Sequence, residues 1–230
     1  LQAAAPDPKS ASLYVYAPQA DCMSAELNSK PQLEGSTKTM LQSIRQCLAD
    51  EMVRDERVVL FGADVAEAPQ GYSFDAVRKM GGDCRVASGL QKQFGSHRVF
   101  NAPPAEAGLM GRALGMALRG LSPVVEFQFF GMMWPAFMQA RDELAVMRWR
   151  SNNLFSNGVV MRTPYGGYLE TGSIYHSQTG EVAFAHTPGI RVVMPSNAQD
   201  AVGLLRTAIR CEDPVLFLEH KSLYQAPFAS

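Results

Sequence analysis

The chain has 230 residues, of which 47% are apolar and 19% charged, enough for a sizeable core. At roughly 150 residues per domain, this length corresponds to about one and a half domains. Lys and Arg total 21 against 22 for Asp and Glu, so the formal net charge is −1. We therefore expect no nucleic-acid partner, because phosphate binding needs a basic surplus. We also expect no membrane partner, because no run of about 18 apolar residues occurs.

Residues 1–35 are interpreted as an N-terminal arm, extended or poorly ordered, because four prolines interrupt any helical period: Pro6, Pro8, Pro18 and Pro31. The chain begins with Leu1 and shows no basic-then-apolar signal, which leads us to expect a fragment or a processed product. The cysteines are scattered without C-x-x-C spacing. This pattern favours a reducing compartment, and we expect a cytoplasmic location.

Residues 36–230 are predicted to form one domain in which strands alternate with helices. Helical spacing of apolar residues predicts helices over 41–52, 105–118, 133–147 and 196–209. Short apolar runs predict strands at 58–61, 99–100, 123–127, 159–162, 192–194 and 215–218, and the glycine-containing stretch 66–96 is predicted to be a loop with short helical pieces. The expected fold class is α/β, a parallel-sheet three-layer sandwich with helices on both faces.

Polar residues at two helix starts are candidate caps. Ser36 or Thr37 is the expected N-cap of the first helix, and Ser196 with Gln199 resembles a capping box. Pro135 falls in the first turn of its helix, where proline is tolerated.

The helix over 105–118 contains Gly108, Gly111 and Gly115, which lie within about 60° of one helical face. Each glycine costs about 1 kcal/mol relative to alanine, so another backbone is expected to come close there. Two interpretations stay open: tight packing inside the domain, or contact with a second subunit or a cofactor.

Three segments follow strand ends, where ligands bind in open parallel sheets: 101–106, 128–133 and 163–178. Glu106, in the first turn of the glycine-containing helix, either complements the helix dipole or binds a ligand nitrogen. His176, at the end of a glycine-rich loop, is either a solvated loop residue or a general acid–base.

Motifs that would indicate other enzyme classes are absent. Nothing matches the P-loop, the dinucleotide-binding fingerprint or the nucleophile elbow. A zinc site is not expected, because His186 and His220 have no cysteine or carboxylate at ligand spacing.

Several segments, in the same order along the chain, resemble one family. They are VFNAPPAEAG (99–108), GRALG (111–115), PVVEFQFF (123–130), YHSQ (175–178), PGIRVVMPS (188–196) and DPVLFLEHK (213–221). They resemble the β part, the pyrimidine-binding domain, of thiamine-diphosphate-dependent 2-oxoacid dehydrogenases. The likeness is to branched-chain (2-oxoisovalerate) types, including forms in which α and β parts are fused.

The resemblance implies a cofactor site shared with an α part. In the family, the α part holds the diphosphate and Mg²⁺ through a Gly-Asp-Gly…Asn pattern, which this chain lacks. Glu106 matches the glutamate that hydrogen-bonds N1′ of the aminopyrimidine, and His176 matches a histidine that works near acyl transfer to a lipoyl group. Gln128 and Met132 are the further cofactor-binding candidates.

The resemblance also implies partners and a potassium ion. The expected partners are an α part, separate or fused, a second copy in a dimer or an α2β2-like assembly, and a lipoyl-bearing acyltransferase. A structural potassium ion would be held by backbone carbonyls at Gly158, Val160, Ala208, Cys211 and Asp213. Family β parts continue with a smaller C-terminal domain, which we expect to be absent from these residues.

Some positions depart from the family pattern. Ala63 replaces a glutamate in a Gly-Glu-Asp-Val segment, and Gly131 and Met132 replace an Asp-Tyr pair whose aromatic ring packs on the pyrimidine. Two alternatives therefore accompany the active enzyme component: a catalytically degenerate subunit-binding module, and a transketolase-type pyrimidine domain.

Overall fold

The computed structural model describes residues 4–18, 38–68, 84–167 and 173–225. Within these ranges, the strands form one parallel sheet in the order β2-β1-β3-β4-β6-β5. The strands are β1 (Val58–Gly62), β2 (Val99–Asn101), β3 (Ser122–Glu126), β4 (Val160–Tyr165), β5 (Arg191–Val193) and β6 (Val215–His220).

Helices cover both faces of the sheet. They are α1 (Met40–Arg54), α2 (Leu90–Phe94), α3 (Glu106–Leu118), α4 (Phe137–Gln139), α5 (Met147–Arg150), α6 (Glu181–Ala185) and α7 (Ala198–Arg210). Side chains of α1 and α7 form one apolar core with alternate strand residues such as Val124 and Phe217. Side chains of α3 and of residues 136–145 form a second core with Val125 and Leu216. The predicted α/β parallel-sheet sandwich is confirmed, and coverage of both faces explains the nearly continuous apolar strands.

The helix caps differ from those predicted. Thr39 is the N-cap of α1 and forms a capping box with Gln42, whereas Ser36 and Thr37 lie outside the described residues. For α7 the predicted cap was wrong by one residue, because Asn197, not Ser196, accepts a hydrogen bond from the backbone N–H of Asp200 at 2.8 Å. Serine and asparagine cap helices about equally well, so residue type did not select between these neighbours.

The helix predicted over 133–147 is broken. A 3₁₀ turn at Trp134–Ala136 leads into α4, then a π-helical turn at Ala140–Leu144, then α5. The π turn closes with a hydrogen bond from the Ala145 N–H to the Ala140 carbonyl at 2.8 Å. Ala140, Leu144 and Ala145, at the two ends of this wider turn, all face the core.

The predicted strand boundaries shifted modestly. Strand β4 continues to Tyr165, past the predicted end at Arg162, because β6 also extends to His220 and pairs with it there. The glycine-rich loop therefore begins at Gly166. In the predicted loop 66–96, α2 is the helical piece that the structure describes, and residues 69–83 lie outside the described ranges.

Residues 4–18 of the predicted arm contact the domain near the start of β5. The Trp149 indole N–H donates to the Ala11 carbonyl at 3.0 Å, and the Ala17 N–H donates to the Asp213 carboxylate at 2.6 Å. The Arg191 guanidinium lies over the Tyr16 ring, 4.8 Å from its centroid. The boundary at residue 35 stays a prediction. None of the described helices is both long and apolar enough to cross a bilayer.

Candidate functional site

Candidate residues gather at the carboxyl edge of the sheet. Asp64 follows β1, Glu106 follows β2, Gln128 follows β3 and His176 follows β4. The chain leaves β1 for β2 on one side and later adds β3 on the other, so the crevice between β1 and β3 is a topological switch point. Ligands of open α/β sheets bind at such crevices.

A hydrogen bond crosses this crevice. The Gln128 side-chain amide donates to the Asp64 carboxylate at 3.1 Å, joining the ends of β3 and β1. Asp64 has a φ of +56°, in the left-handed region that few residues other than glycine, asparagine and aspartate adopt. Backbone conformations of this kind cluster at binding sites. Sequence reasoning missed Asp64 as a site residue, although a carboxylate just after a buried strand was a usable signal.

Glu106 is the first residue of α3 and is partly buried. Among the described residues, its carboxylate has no hydrogen bond or ion pair, and the N-cap Ala105 offers no side-chain cap. Its place in the first turn fits the helix-dipole interpretation, while its unpaired carboxylate at the ligand edge leaves it available to a ligand.

His176 stacks on Phe129. Their ring centroids are 4.2 Å apart with an interplanar angle of 23°. Phe129 directly follows Gln128, and Met132, partly buried, ends the 3₁₀ turn Phe130–Met132. The structure thus brings His176 beside the segment that carries Gln128 and Met132. It does not bring Glu106 into hydrogen-bond contact with them.

A buried charged cluster underlies this edge. Arg162 donates to Glu219 at 2.6 and 2.7 Å and also to Glu126, and the Tyr224 hydroxyl donates to Glu219 at 2.6 Å. Burial opposes the charge of Arg162, but Glu219 and Glu126 outweigh it and raise the Arg162 pKa. Burial, reinforced by the Glu219 charge, raises the pKa of Tyr224 well above its usual value. The cluster joins β3, β4 and β6 to one another, and sequence reasoning did not identify it.

The sequence of this chain matches one known protein family over most of its length. Residues 36–227 match the family described as "Transketolase, pyrimidine binding domain". The chain belongs to this family. The pyrimidine-domain fold expected from the sequence is therefore confirmed, and the carboxyl edge described above lies in such a domain.

Named relatives carry the likeness further. The chain is 42% identical over 190 residues to 2-oxoisovalerate dehydrogenase subunit beta of Bacillus subtilis, covering 83% of this chain and 54% of that protein. It is 43% identical over 188 residues to the pyruvate dehydrogenase E1 component subunit beta of the same organism, covering 82% and 54%. The resemblance to 2-oxoacid dehydrogenase β parts is confirmed. This chain spans about half the length of these relatives.

A solved structure, titled split gene transketolase, inactive beta4 tetramer, superimposes with a TM-score of 0.53. The match covers 78% of this chain and 50% of that one, at 17% sequence identity, and shows a shared fold.

The pyrimidine domain's potassium candidates lie at the opposite, amino edge of the sheet. A Cβ on Gly158 would lie 2.4 Å from the Cys211 carbonyl oxygen, so these two backbones are in close contact. The Ala208 carbonyl accepts from the Cys211 N–H at 3.3 Å, Val160 begins β4, and the Asp213 carboxylate is held by Arg191 at 2.7 Å. All five residues lie at or just before the amino ends of β4 and β6. Within the described ranges, no group of three or more His, Cys, Asp or Glu side chains could hold a metal ion.

The glycine face of α3 is exposed. Gly108, Gly111 and Gly115 are all open to solvent, and a Cβ on Gly111 or Gly115 would have no atom within 4 Å. Tight packing inside the domain is therefore not what the described residues show. Contact with a second subunit or a cofactor stays a prediction.

Proposed function

We propose that this chain is the β part of the decarboxylating component of a 2-oxoacid dehydrogenase complex. Its reaction would be oxidative decarboxylation of a branched-chain 2-oxoacid, with acyl transfer to a lipoyl group. The observation that carries the proposal is the carboxylate of Glu106, which has no hydrogen bond or ion pair within the described residues and lies at the carboxyl edge of a pyrimidine-binding domain. The names of the relatives, 2-oxoisovalerate and pyruvate dehydrogenase β subunits, support the reaction class.

The residues of this edge fit the aminopyrimidine of thiamine diphosphate. Glu106 would hydrogen-bond N1′, and Gln128, oriented by Asp64, would lie beside the ring. The Met132 thioether would contact the ring face, a favourable sulfur–aromatic contact. Bound thiamine diphosphate would supply the electron sink for decarboxylation. Its diphosphate and Mg²⁺ would be held by the α part, which agrees with the nearly neutral charge of this chain.

The proposed partners follow from the shared site. They are an α part, separate or fused, a second copy of this chain in a dimer or α2β2-like assembly, and a lipoyl-bearing acyltransferase. The open glycine face of α3 is the surface we assign to a subunit contact. We propose a cytoplasmic location for the assembly, which cell fractionation would test.

The test replaces Glu106 in the full-length protein, assembled with an α part, thiamine diphosphate and Mg²⁺. Glu106→Gln keeps the shape but removes the shared carboxyl proton, so 2-oxoisovalerate-dependent CO₂ release should fall at least about 100-fold, the range lost with a general acid–base group. Glu56→Gln, at an exposed turn, is the matched control and should retain activity. Full activity of Glu106→Gln would remove Glu106 from the reaction.

A second candidate is a catalytically degenerate binding module, which Ala63, Gly131 and Met132 motivate. It predicts normal assembly with the α part but no CO₂ release from any 2-oxoacid. A transketolase-type domain is the third, and it predicts ketol transfer between sugar phosphates instead of decarboxylation.

A potassium ion is proposed at the carbonyls of Gly158, Val160, Ala208, Cys211 and Asp213. An ion that binds only the folded protein raises its melting temperature in proportion to the logarithm of its concentration. Melting in KCl should therefore exceed melting in choline chloride of equal strength, and equal curves would refute the site.

A further inference from the structure

We infer that Lys221 and Gly131 are positioning residues that fix the His176 imidazole against the Phe129 ring. His176 itself enters the reaction only through the proposed function, and the inference rests on that function for its catalytic consequence. The geometric part concerns four residues that converge from three segments, one after β3, one after β4 and one after β6.

Gly131 admits the backbone that precedes His176. A Cβ at position 131 would lie 2.3 Å from the Tyr175 carbonyl oxygen and 2.8 Å from its carbonyl carbon. These are backbone atoms, which cannot move aside by a change of rotamer. Any side chain at position 131 would therefore push the loop that carries His176 away from the 3₁₀ turn Phe130–Met132.

Lys221 contacts the same loop at the next residue, His176. Its side chain is only 8% exposed, and lysine is rarely buried this far without partners. Its ammonium donates to the His176 carbonyl oxygen and lies over the Phe129 ring, 5.2 Å from the centroid. Burial lowers the pKa of Lys221, so losing these two contacts would further disfavour the buried charge.

The loop contributes little burial of its own. The side chains of Ile174 and Tyr175 are 68% and 59% exposed, so apolar packing does not fix residues 173–176. Further along, Gln178 is held by the Trp134 indole N–H at 2.9 Å and by the Gly166 N–H at 3.1 Å. Among the described residues, the position of the imidazole depends on the contacts to Gly131, Lys221 and Phe129 and on the hydrogen bond from the His176 N–H to the Ser173 carbonyl at 3.0 Å.

The consequence is a defined orientation for one histidine. Stacking on Phe129 covers one face of the imidazole. The two ring nitrogens lie on the edge of the ring, which this stacking does not cover. A misplacement of about 1 Å in a catalytic group can reduce a rate about 100-fold. Loosening residues 173–176 should therefore slow acyl transfer, the step proposed to use His176, more than it slows decarboxylation.

The test uses this chain with histidine rings labelled with ¹³C, so that each of its 4 histidines gives its own ring signals. His176→Gln assigns the signal of His176. In the unmodified protein, this signal should be shifted upfield by the Phe129 ring current. Lys221→Met and Gly131→Ala should each abolish most of that shift, and they act independently, so misfolding of one variant leaves the other decisive.

Matched controls exist for both changes. Lys92→Met removes an exposed lysine, and Gly203→Ala adds a methyl group where no atom lies within 4 Å. Both should retain the upfield signal. An unchanged His176 signal in Lys221→Met and in Gly131→Ala would overturn the inference.

A kinetic arm separates this inference from the proposed function. In the assembled enzyme, Lys221→Met should slow acyl transfer to a lipoyl domain at least about tenfold, with decarboxylation measured by an artificial acceptor changed far less. If the variant loses the ring-current shift but keeps its rate of acyl transfer, the inference about positioning stands and the proposed role of His176 in acyl transfer is refuted.

Discussion

Arg162 is fully buried, as is Glu219, and it forms ion pairs with Glu126 and Glu219 on the strands to either side. Removing one partner of a buried ion cluster costs about 3–5 kcal/mol, because the remaining charges stay buried without compensation. Arg162→Met should therefore lower the free energy of unfolding by about 4 kcal/mol in urea denaturation.

The matched control is Arg141→Met. Arg141 pairs with Asp142 at the surface, with half of each side chain exposed, and such pairs contribute little. If Arg162→Met unfolded at the same urea concentration as Arg141→Met, the buried cluster would not be a source of stability.

Residues in local motifs could be singled out from the sequence as candidates, whereas residues defined by distant contacts could not. Glu106, Gln128 and His176 stood in recognisable segments, and the structure places all three at one edge. Asp64 gains its importance from a bond to Gln128, 64 positions away, and Lys221 from a contact with His176, 45 positions away. No spacing in the sequence reports contacts of that length.

At the scale of elements, α1 and α7 are joined through Glu51. Its carboxylate accepts from Arg210 at 2.6 and 2.9 Å on α7 and from Arg54 at 2.7 Å on its own helix. Burial alone would raise the Glu51 pKa, but the hydrogen bonds from Arg210 and Arg54 outweigh it and lower the pKa. Directly after α1, the hydrogen bond from Arg57 lowers the pKa of Asp55 to about 2.

These lowered pKa values predict acid sensitivity. Carboxylates with a lower pKa in the folded state stabilise it above their unfolded pKa, and this stabilisation is lost as the pH falls towards the folded value. The free energy of unfolding should thus drop steadily from about pH 5 to pH 2. Glu51→Gln should cost about 2 kcal/mol at neutral pH and flatten this decline.

Urea denaturation at several pH values measures both effects. Asp142→Asn, in an exposed pair, should follow the unmodified profile. A Glu51→Gln profile parallel to that of the unmodified protein would show that Glu51 does not titrate with unfolding.

Element types were more predictable than their limits. Apolar periodicity located every strand of the described sheet and both long helices that cover the first core, α1 and α7. It failed within 134–150, where a π turn at Ala140–Leu144 interrupts the helix. Tertiary packing sets such turns, and helical propensity alone does not report them.

At the scale of the molecule, the parallel sheet and its two apolar cores leave Gly111 and Gly115 of α3 without a packing partner among the described residues. The glycine face of α3 is exposed, although glycine in a helix is destabilising and is retained when another backbone must approach. Because Gly111 has open space around it among the described residues, the reason we propose for this glycine is contact with a partner chain.

This reasoning predicts opposite effects of one substitution. In the unassembled protein, Gly111→Ala should raise the free energy of unfolding by up to about 1 kcal/mol, because alanine favours the helix and meets no atom within 4 Å. In the presence of the α part, the added methyl group should hold the two backbones apart and weaken assembly about tenfold or more, as measured by analytical ultracentrifugation. Gly203→Ala in α7, also in open space, should stabilise the protein similarly but leave assembly unchanged. Unaltered assembly of Gly111→Ala would mean that α3 faces solvent in the complex, and the subunit contact would then have to be sought on another surface.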